Sequence, residues 1–262
     1  MKKLLLTVTL SMLLSSAWAE RIVTLTPDVA DIVVALGSGS EVVGRDVATK
    51  NPVLAQVSTI GLFHGLSVEP IAAKKPSITL GSWMAQPQNI YVHLNRVGIK
   101  AINVAPKDDI EHYPASILRI GELIGKSTQA RKLADQWQKQ IKTMPSNGKR
   151  YLISYDGRYV AGRGTAGDEL IRRAGGINAA AHIDGMKPMT REAWLAAKPD
   201  IILIADHNAK IVNGAEGLAK RPEIASSPAA KQHRIYIWPA NDIFRYGLNT
   251  PQIIQRMSDL AK

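Results

Sequence analysis

Apolar and polar residues follow two rhythms along this chain. Arg21-Ile-Val-Thr-Leu25 is a β-branched run bounded by Thr26-Pro27-Asp28, after which Val29, Ile32, Val33 and Leu36 recur at helical spacing until Gly37 and Gly39. The pattern predicts a strand and then a helix, capped by Thr26 or Asp28, with Pro27 in the first turn where its missing N–H costs nothing. Val42 to Gly44, Ile78 to Leu80 and Ala101 to Val104 read as further strands, with a helical stretch from Gln88 to Val97. Between Ile110 and Met144 the strand rhythm disappears. Leu133, Trp137 and Ile141 fall four apart there, with Ala130 and Ala134 along the same side. A helix starting at Ser127 or Thr128 and stopped by Pro145-Ser-Asn-Gly148 would be about 24 Å long at about 1.5 Å per residue. Alternation then resumes: Arg150 to Ser154, Ile201 to Ala205 and Ile235 to Trp238 as strands, Ala166 to Ala174 as a helix ending at Gly175-Gly176.

The expected fold is therefore α/β, with two Rossmann-like lobes built on parallel sheets and joined by a long rigid α-helix. The boundaries read as an N-terminal lobe over 20–125, an interdomain helix over 126–145 and a C-terminal lobe over 146–262. An internal repeat supports two related lobes. The stretch from Leu66 to Leu80 aligns without a gap on Met189 to Leu203, matching Glu69 with Glu192, Lys75 with Lys198, Pro76 with Pro199 and Ile78 with Ile201. Each copy reads as a helix capped by Ser67 or Thr190, a proline stop and a strand.

Residues 1–19 stand outside this scheme. Lys2 and Lys3, the apolar run Leu4 to Leu14, and Ala17-Trp18-Ala19 ahead of Glu20 have the form of a cleavable signal peptide. The expected compartment is the periplasm of a Gram-negative cell. With no cysteine in the sequence, a lipid-anchored thiol, a disulfide framework and a cysteine-ligated metal site are all excluded. The formal charge of +11 falls to +9 without the leader, and the basic residues are scattered as pairs such as Lys74-Lys75 and Arg172-Arg173. That distribution suits a basic surface and an anionic small ligand better than nucleic acid.

Enzyme signatures are weak. Gly162-Arg-Gly-Thr-Ala-Gly167 spells G-x-G-x-x-G with Asp184 some twenty residues on, which would suit a secreted nucleotide-dependent oxidoreductase. Asp156-Gly157 interrupts the preceding strand, however, so the run reads as a glycine-rich turn with Thr165 as the next helix cap. There is no G-x-S-x-G or H-E-x-x-H, and the six histidines include no pair four apart. The expectation is no enzyme and no catalytic cofactor.

The exported two-lobe plan, the linking helix and the opening Arg21-Ile-Val-Thr-Leu-Thr-Pro resemble the solute-binding proteins of ABC importers for iron chelates, haem and vitamin B12. Val43-Gly-Arg-Asp46, Leu66-Ser-Val-Glu69, Gly164-Thr-Ala-Gly-Asp168 with Arg173-Ala-Gly-Gly-Ile-Asn178, and Lys187-Pro-Met-Thr190 are most similar to the haem-binding branch. Gly65, within Phe63-His-Gly-Leu66, leans toward the vitamin B12 branch. The resemblance implies haem b as a transported ligand, held between lobes of a monomer and delivered to an ABC permease dimer and its ATPase. Membrane contact would run only through that permease. A vitamin B12 or ferric-siderophore receptor is the alternative.

One departure stands out. Haem-branch proteins usually place an iron-ligating tyrosine after the glycine that aligns with Gly61, and here that residue is Leu62. His64 and Tyr155 are the substitutes expected to lie axial to the iron, since imidazole and phenolate both bind it. Phe63, Trp83, Met84 and Tyr246 are expected to face the macrocycle, and Arg45 and Arg245 to hold its carboxylates. Glu69 and Glu192 lie in first turns, where a carboxylate gains from the helix dipole. The resemblance implies that they dock the two permease subunits.

Overall fold

The computed structural model describes residues 20–262, so the leader read at 1–19 lies outside the described residues. The first half runs β1 (Ile22–Thr24), α1 (Pro27–Ala35), β2 (Val42–Arg45), α2 (Val68–Ala72), β3 (Ile78–Ser82), α3 (Ile90–Arg96) and β4 (Ala101–Ala105). Its strands are ordered β2-β1-β3-β4 and all are parallel. Two helices follow, α4 (Tyr113–Leu123) and α5 (Ser127–Gln140). The second half opens with β5 (Arg150–Ser154), β6 (Tyr159–Ala161), α6 (Ala166–Arg173), β7 (Ile177–Asn178), β8 (Met186–Pro188), α7 (Arg191–Ala197) and β9 (Ile201–Ala205). It continues through α8 (Gly214–Ala219), α9 (Pro222–Ala225), α10 (Pro228–Lys231), β10 (Ile235–Trp238), α11 (Ala240–Ile243) and α12 (Thr250–Asp259).

The second sheet has the order β10-β9-β5-β6-β8. Strands β10, β9 and β5 are parallel, as the α/β rhythm predicts, but β6 is antiparallel to both β5 and β8. The cause is the Asp156-Gly157 turn. Asp156 Oδ1 accepts from the amides of Arg158 and Tyr159 at 2.9 and 2.8 Å, and Gly157 takes a left-handed φ of 81°. So short a turn can join only antiparallel neighbours.

The linking segment also differs from a lone rod over 126–145. Helix α5 stops at Gln140, Ile141 is extended, and its 14 residues span about 21 Å. Beyond it the chain borrows partners from the second half: the Met144 amide donates to Arg173 O at 2.7 Å and the Asn147 amide to Gly175 O at 2.8 Å. Helix α5 is also paired along its length with α4. At their crossing a Cβ on Gly121 would lie 2.2 Å from that of Ala130, so glycine is required for this approach. The connection is a helical hairpin braced against both sheets.

That bracing is apolar. One buried cluster runs from Ile22 and Leu80 of the first sheet through Ile120 and Trp137 of the hairpin to Tyr151, Ile153 and Leu203 of the second. Trp137 is 4% exposed, its ring lies 4.9 Å from that of Tyr113, and its Nε1–H donates to Gly247 O at 3.0 Å. Smaller clusters around Ile71 and Leu94, and around Trp194 and Ile202, cover the other faces of the two sheets.

The internal repeat is visible in three dimensions. Helix α2 feeds β3 as α7 feeds β9, and Lys75 and Lys198 both adopt left-handed φ values, 48° and 41°, ahead of their prolines. Thr190 and Thr165 cap their helices by accepting from Ala193 N and Asp168 N, whereas Ser67 and Thr26 make no side-chain cap bond.

Replacing Trp137 by alanine should cost about 3–5 kcal/mol, the range for emptying a buried aromatic site. The melting temperature should then fall by roughly 10 °C in calorimetry, at about 2–4 °C per kcal/mol for a chain of this size. Trp137→Phe, which loses mainly the bond to Gly247, should fall much less.

Candidate functional site

The carboxyl ends of the parallel strands deliver the chemistry. After β2 come Val47 and Ala48, after β3 Trp83 and Met84, after β4 Asp108, after β5 Tyr155 and Asp156, after β9 Asp206 and His207, and after β10 Pro239 and Ala240. All of them line one cleft of about 1400 Å³ between the two halves. That exceeds the roughly 300–1,000 Å³ usual for small-molecule sites, and its position outside the strand ends is where α/β sheets bind ligands. Its walls are mainly apolar.

On the first-half wall, the loop 61–66 is set by main-chain bonds. The Val47 amide donates to Gly61 O at 3.0 Å, Leu66 to Gln86 O at 2.9 Å, and Gln86 to Phe63 O at 2.6 Å. Gly61 has φ 111°, a conformation open to glycine but strained for other residues. Asp46 completes the frame: fully buried, it accepts the Phe63 amide on Oδ1 at 2.8 Å, while Oδ2 has no partner. Burial pushes this carboxyl up to about 6 against the opposing pull of the Phe63, Ala48 and Thr49 amides and of Arg45. The loop presents Leu62, 44% exposed, then Phe63 and His64, whose rings lie 3.9 Å apart and tilted by 46°. Partial burial lowers the His64 imidazole below its ordinary range, which favours a neutral ring with a lone pair to offer.

The facing wall is an aromatic cluster. Tyr155 meets His207 edge-on at 5.1 Å and Phe244 edge-on at 5.7 Å. His207 sits beside a carboxylate, with Nδ1 3.4 Å from Asp206 Oδ1. Asp206 is itself held by the amides of His207 and Ala240 at 2.8 and 3.1 Å, and Asn208 Nδ2 donates to Tyr155 O at 3.0 Å. Arg245, 6% exposed, bridges across the halves to Asp31 of α1 at 3.4 Å.

Of the residues singled out in the sequence, the cleft brings together Phe63, His64, Trp83, Met84, Tyr155 and Arg245. Two expected contributors are placed elsewhere. Arg45 does not line the cleft: its guanidinium donates to Leu54 O at 2.8 Å, Thr49 O at 3.1 Å and Asp46 O at 3.2 Å, closing the 46–55 loop. Leu54 O and Asp46 O also accept the amides of Val57 and Thr49, so the guanidinium reinforces turns that the main chain already makes and is consumed by its own loop. Tyr246 is 7% exposed and faces a small cavity of about 20 Å³ with Asp28, Asp108, Tyr113 and Arg245, room for about one water. Asp108 is exposed at the rim, but crowding by protein and then the charges of Asp28 and Asp109 raise its carboxyl.

His207 and Asp31 were not singled out by sequence. His207 follows the strand read at Ile201 to Ala205 as Tyr155 follows the one read at Arg150 to Ser154, so position after a strand is the signal that could have found it. Nothing local flagged Asp31, because its partner is 214 residues away. Glu69 and Glu192 are exposed in the first turns of α2 and α7, outside the cleft lining. Bonds from its own amide and from Thr190 lower the Glu192 carboxyl. The glycine-rich loop is tied to the 183–185 segment at its start, while Gly164 to Gly167 face the cleft. The Gly162 amide donates to Gly185 O at 3.0 Å, and Asp184 pairs with Arg163 at 2.6 Å. Among the described residues no group of three or more His, Asp or Glu side chains is placed to hold a metal ion.

Residues 22–241 match a family described as periplasmic binding protein. The chain is similar to the apo structure of the periplasmic heme-binding protein RhuT from Roseiflexus sp. RS-1, at 31% identity and a TM-score of 0.85, covering 93% of this chain and 100% of that one. The ABC transporter substrate-binding lipoprotein YvrC of Bacillus subtilis strain 168 is 27% identical over 259 residues, 93% of this chain and 79% of its own length. The vitamin B12-binding protein of Yersinia pestis strain Pestoides F is 24% identical over 206 residues, covering 74% and 72%.

Because Asp46 titrates higher in the fold than in an unfolded chain, where carboxyls titrate near 4, its ionisation opposes folding. Stability should be eroded as pH rises from about 4 through about 6 and be level above that. Asp46→Asn keeps the acceptor for Phe63 and removes the titration. Urea unfolding at pH 4.5 and 7.5 should show the variant gaining on the parent at the higher pH, at about 1.4 kcal/mol for each pH unit by which the titration is displaced.

Proposed function

Because the chain belongs to the periplasmic binding protein family, we propose that it is a haem receptor which captures its cargo in the cleft and hands it to an ABC permease dimer and its ATPase. The observation that carries this reading is the cleft itself: large, mainly apolar, with an imidazole on one wall and a tyrosine–histidine–phenylalanine cluster on the other. A flat metal macrocycle needs two apolar faces and a nitrogen or oxygen ligand, and imidazole and phenolate both serve haem iron. His64 and Tyr155 are the proposed axial pair, with Phe63, Trp83 and Met84 against the ring. The similarity to the periplasmic heme-binding protein RhuT supports the choice of cargo.

In this reading residues 1–19 direct export to the periplasm of a Gram-negative cell. Lobes 20–125 and 146–262 close on the cargo about the 126–145 segment. The protein works as a monomer, Glu69 and Glu192 each dock one permease subunit, and no bond is made or broken in the cargo.

A corrinoid is the second reading, and two observations favour it. Leu62 stands at the usual tyrosine position, and five aspartates (Asp31, Asp108, Asp156, Asp206 and Asp242) line the cleft against two permanent cations, Lys50 and Arg245. Amide-edged cargo tolerates carboxylate neighbours that a dianion would not. The similarity to a vitamin B12-binding protein points the same way.

Titration with hemin should give a saturable shift of its Soret band, and His64→Ala should weaken binding on the order of 10–100-fold, the scale of losses at metal-ligating shells. A parent protein that leaves the hemin spectrum unchanged while binding cyanocobalamin in calorimetry would replace the first reading by the second.

A further inference from the structure

Arg245 is a buried guanidinium with too few partners. It is 6% exposed, its Nε is enclosed without a hydrogen bond, and its remaining contacts are long: Nη2 to Asp31 Oδ2 at 3.4 Å and Nη1 to Tyr246 O at 3.5 Å. Five N–H donors in a fixed fork are matched best by a carboxylate approached in two parallel bonds at about 2.7–2.9 Å. Asp31 does not provide that. It reaches from α1 in the other half, and its second oxygen is taken by Asn51 Nδ2 at 3.0 Å. Both residues line the cleft, so a molecule seated there reaches the pair directly.

We propose that Asp31 is a resident carboxylate which occupies Arg245 in the empty protein and is displaced by a carboxylate of the cargo. The exchange makes Arg245 the residue that reads an acid group, and Asp31 the guard that sets how strongly it does so. Asp31 keeps Asn51 as a partner after displacement and remains partly solvated, with 32% of its side chain exposed, so releasing it costs little. Arg245 gains, because a carboxylate in bidentate contact satisfies donors that are buried and poorly paired in the empty protein. With five aspartates around the cleft, an entering carboxylate is otherwise repelled, so the exchange also fixes which edge of the cargo points toward the junction of the halves. The inference rests on the haem reading and adds to it the group that is recognised.

Hemin and hemin dimethyl ester, which differ only in their carboxylates, provide the test. The parent protein should bind the free acid on the order of ten-fold more tightly than the ester, the range of one charge-assisted pair. Asp31→Asn should widen that ratio several-fold by strengthening hemin binding alone. Arg245→Gln should abolish it by weakening hemin binding alone, and Arg245→Lys should restore part of it. Equal ratios in the parent and all three variants would overturn the exchange while leaving haem as cargo. Failure of the parent to bind either compound would instead remove the haem reading and the exchange with it.

Discussion

The structure depends on an apolar joint. Each sheet carries its own satellite cluster, yet the largest core passes from Ile22 through Trp137 to Leu203, so neither half buries its inner face without the α4–α5 hairpin and the other half. The indole of Trp137 is fixed at both ends, its ring by Tyr113 and its N–H by Gly247. A joint of this kind resists sliding, because interior packing has few voids to absorb it. It leaves the carboxyl ends of both sheets facing one another across a gap. The ion pairs Arg173–Glu111 and Arg245–Asp31 lie along the same seam.

Much of this was legible in the sequence because it was written locally. The β-branched runs at 150–154, 201–205 and 235–238 became strands with those bounds, and the helix and strand of the internal repeat recur in both halves. What was missed depends on distant partners or short turns. Strands β6 and β8 are too short to show a period, and they exist because Asp156 folds the chain back on β5. The end of α5 at Gln140 is decided by carbonyls of Arg173 and Gly175 that pull the following backbone away.

The site was readable to the same degree. Trp83, Met84 and Tyr155 follow predicted strands, where topology alone puts them at the cleft, whereas the 62–64 loop follows no strand directly and was reached through the family resemblance. The arginines' partners within the fold were not readable, because charge type does not say which oxygen a guanidinium will find. Arg45 was absorbed by carbonyls of its own loop, whereas Arg245 lines the cleft with a long contact to an aspartate from the opposite half. The contrast between a chain of formal charge +11 and a cleft with five aspartates against two cations has the same origin. Basic side chains cover the outside, while the aspartates near the strand ends cap turns and pair with backbone amides.

The 61–66 loop hangs on main-chain hydrogen bonds and on the buried Asp46, none of which uses the side chains of Leu62, Phe63 or His64. Its hydrogen-bonded frame thus asks nothing of those three side chains. A lineage could rewrite them one at a time, trading an aliphatic for a phenol or an imidazole for a cation, without refolding the frame that holds them. Receptors of this build can acquire a new diet through side chains alone.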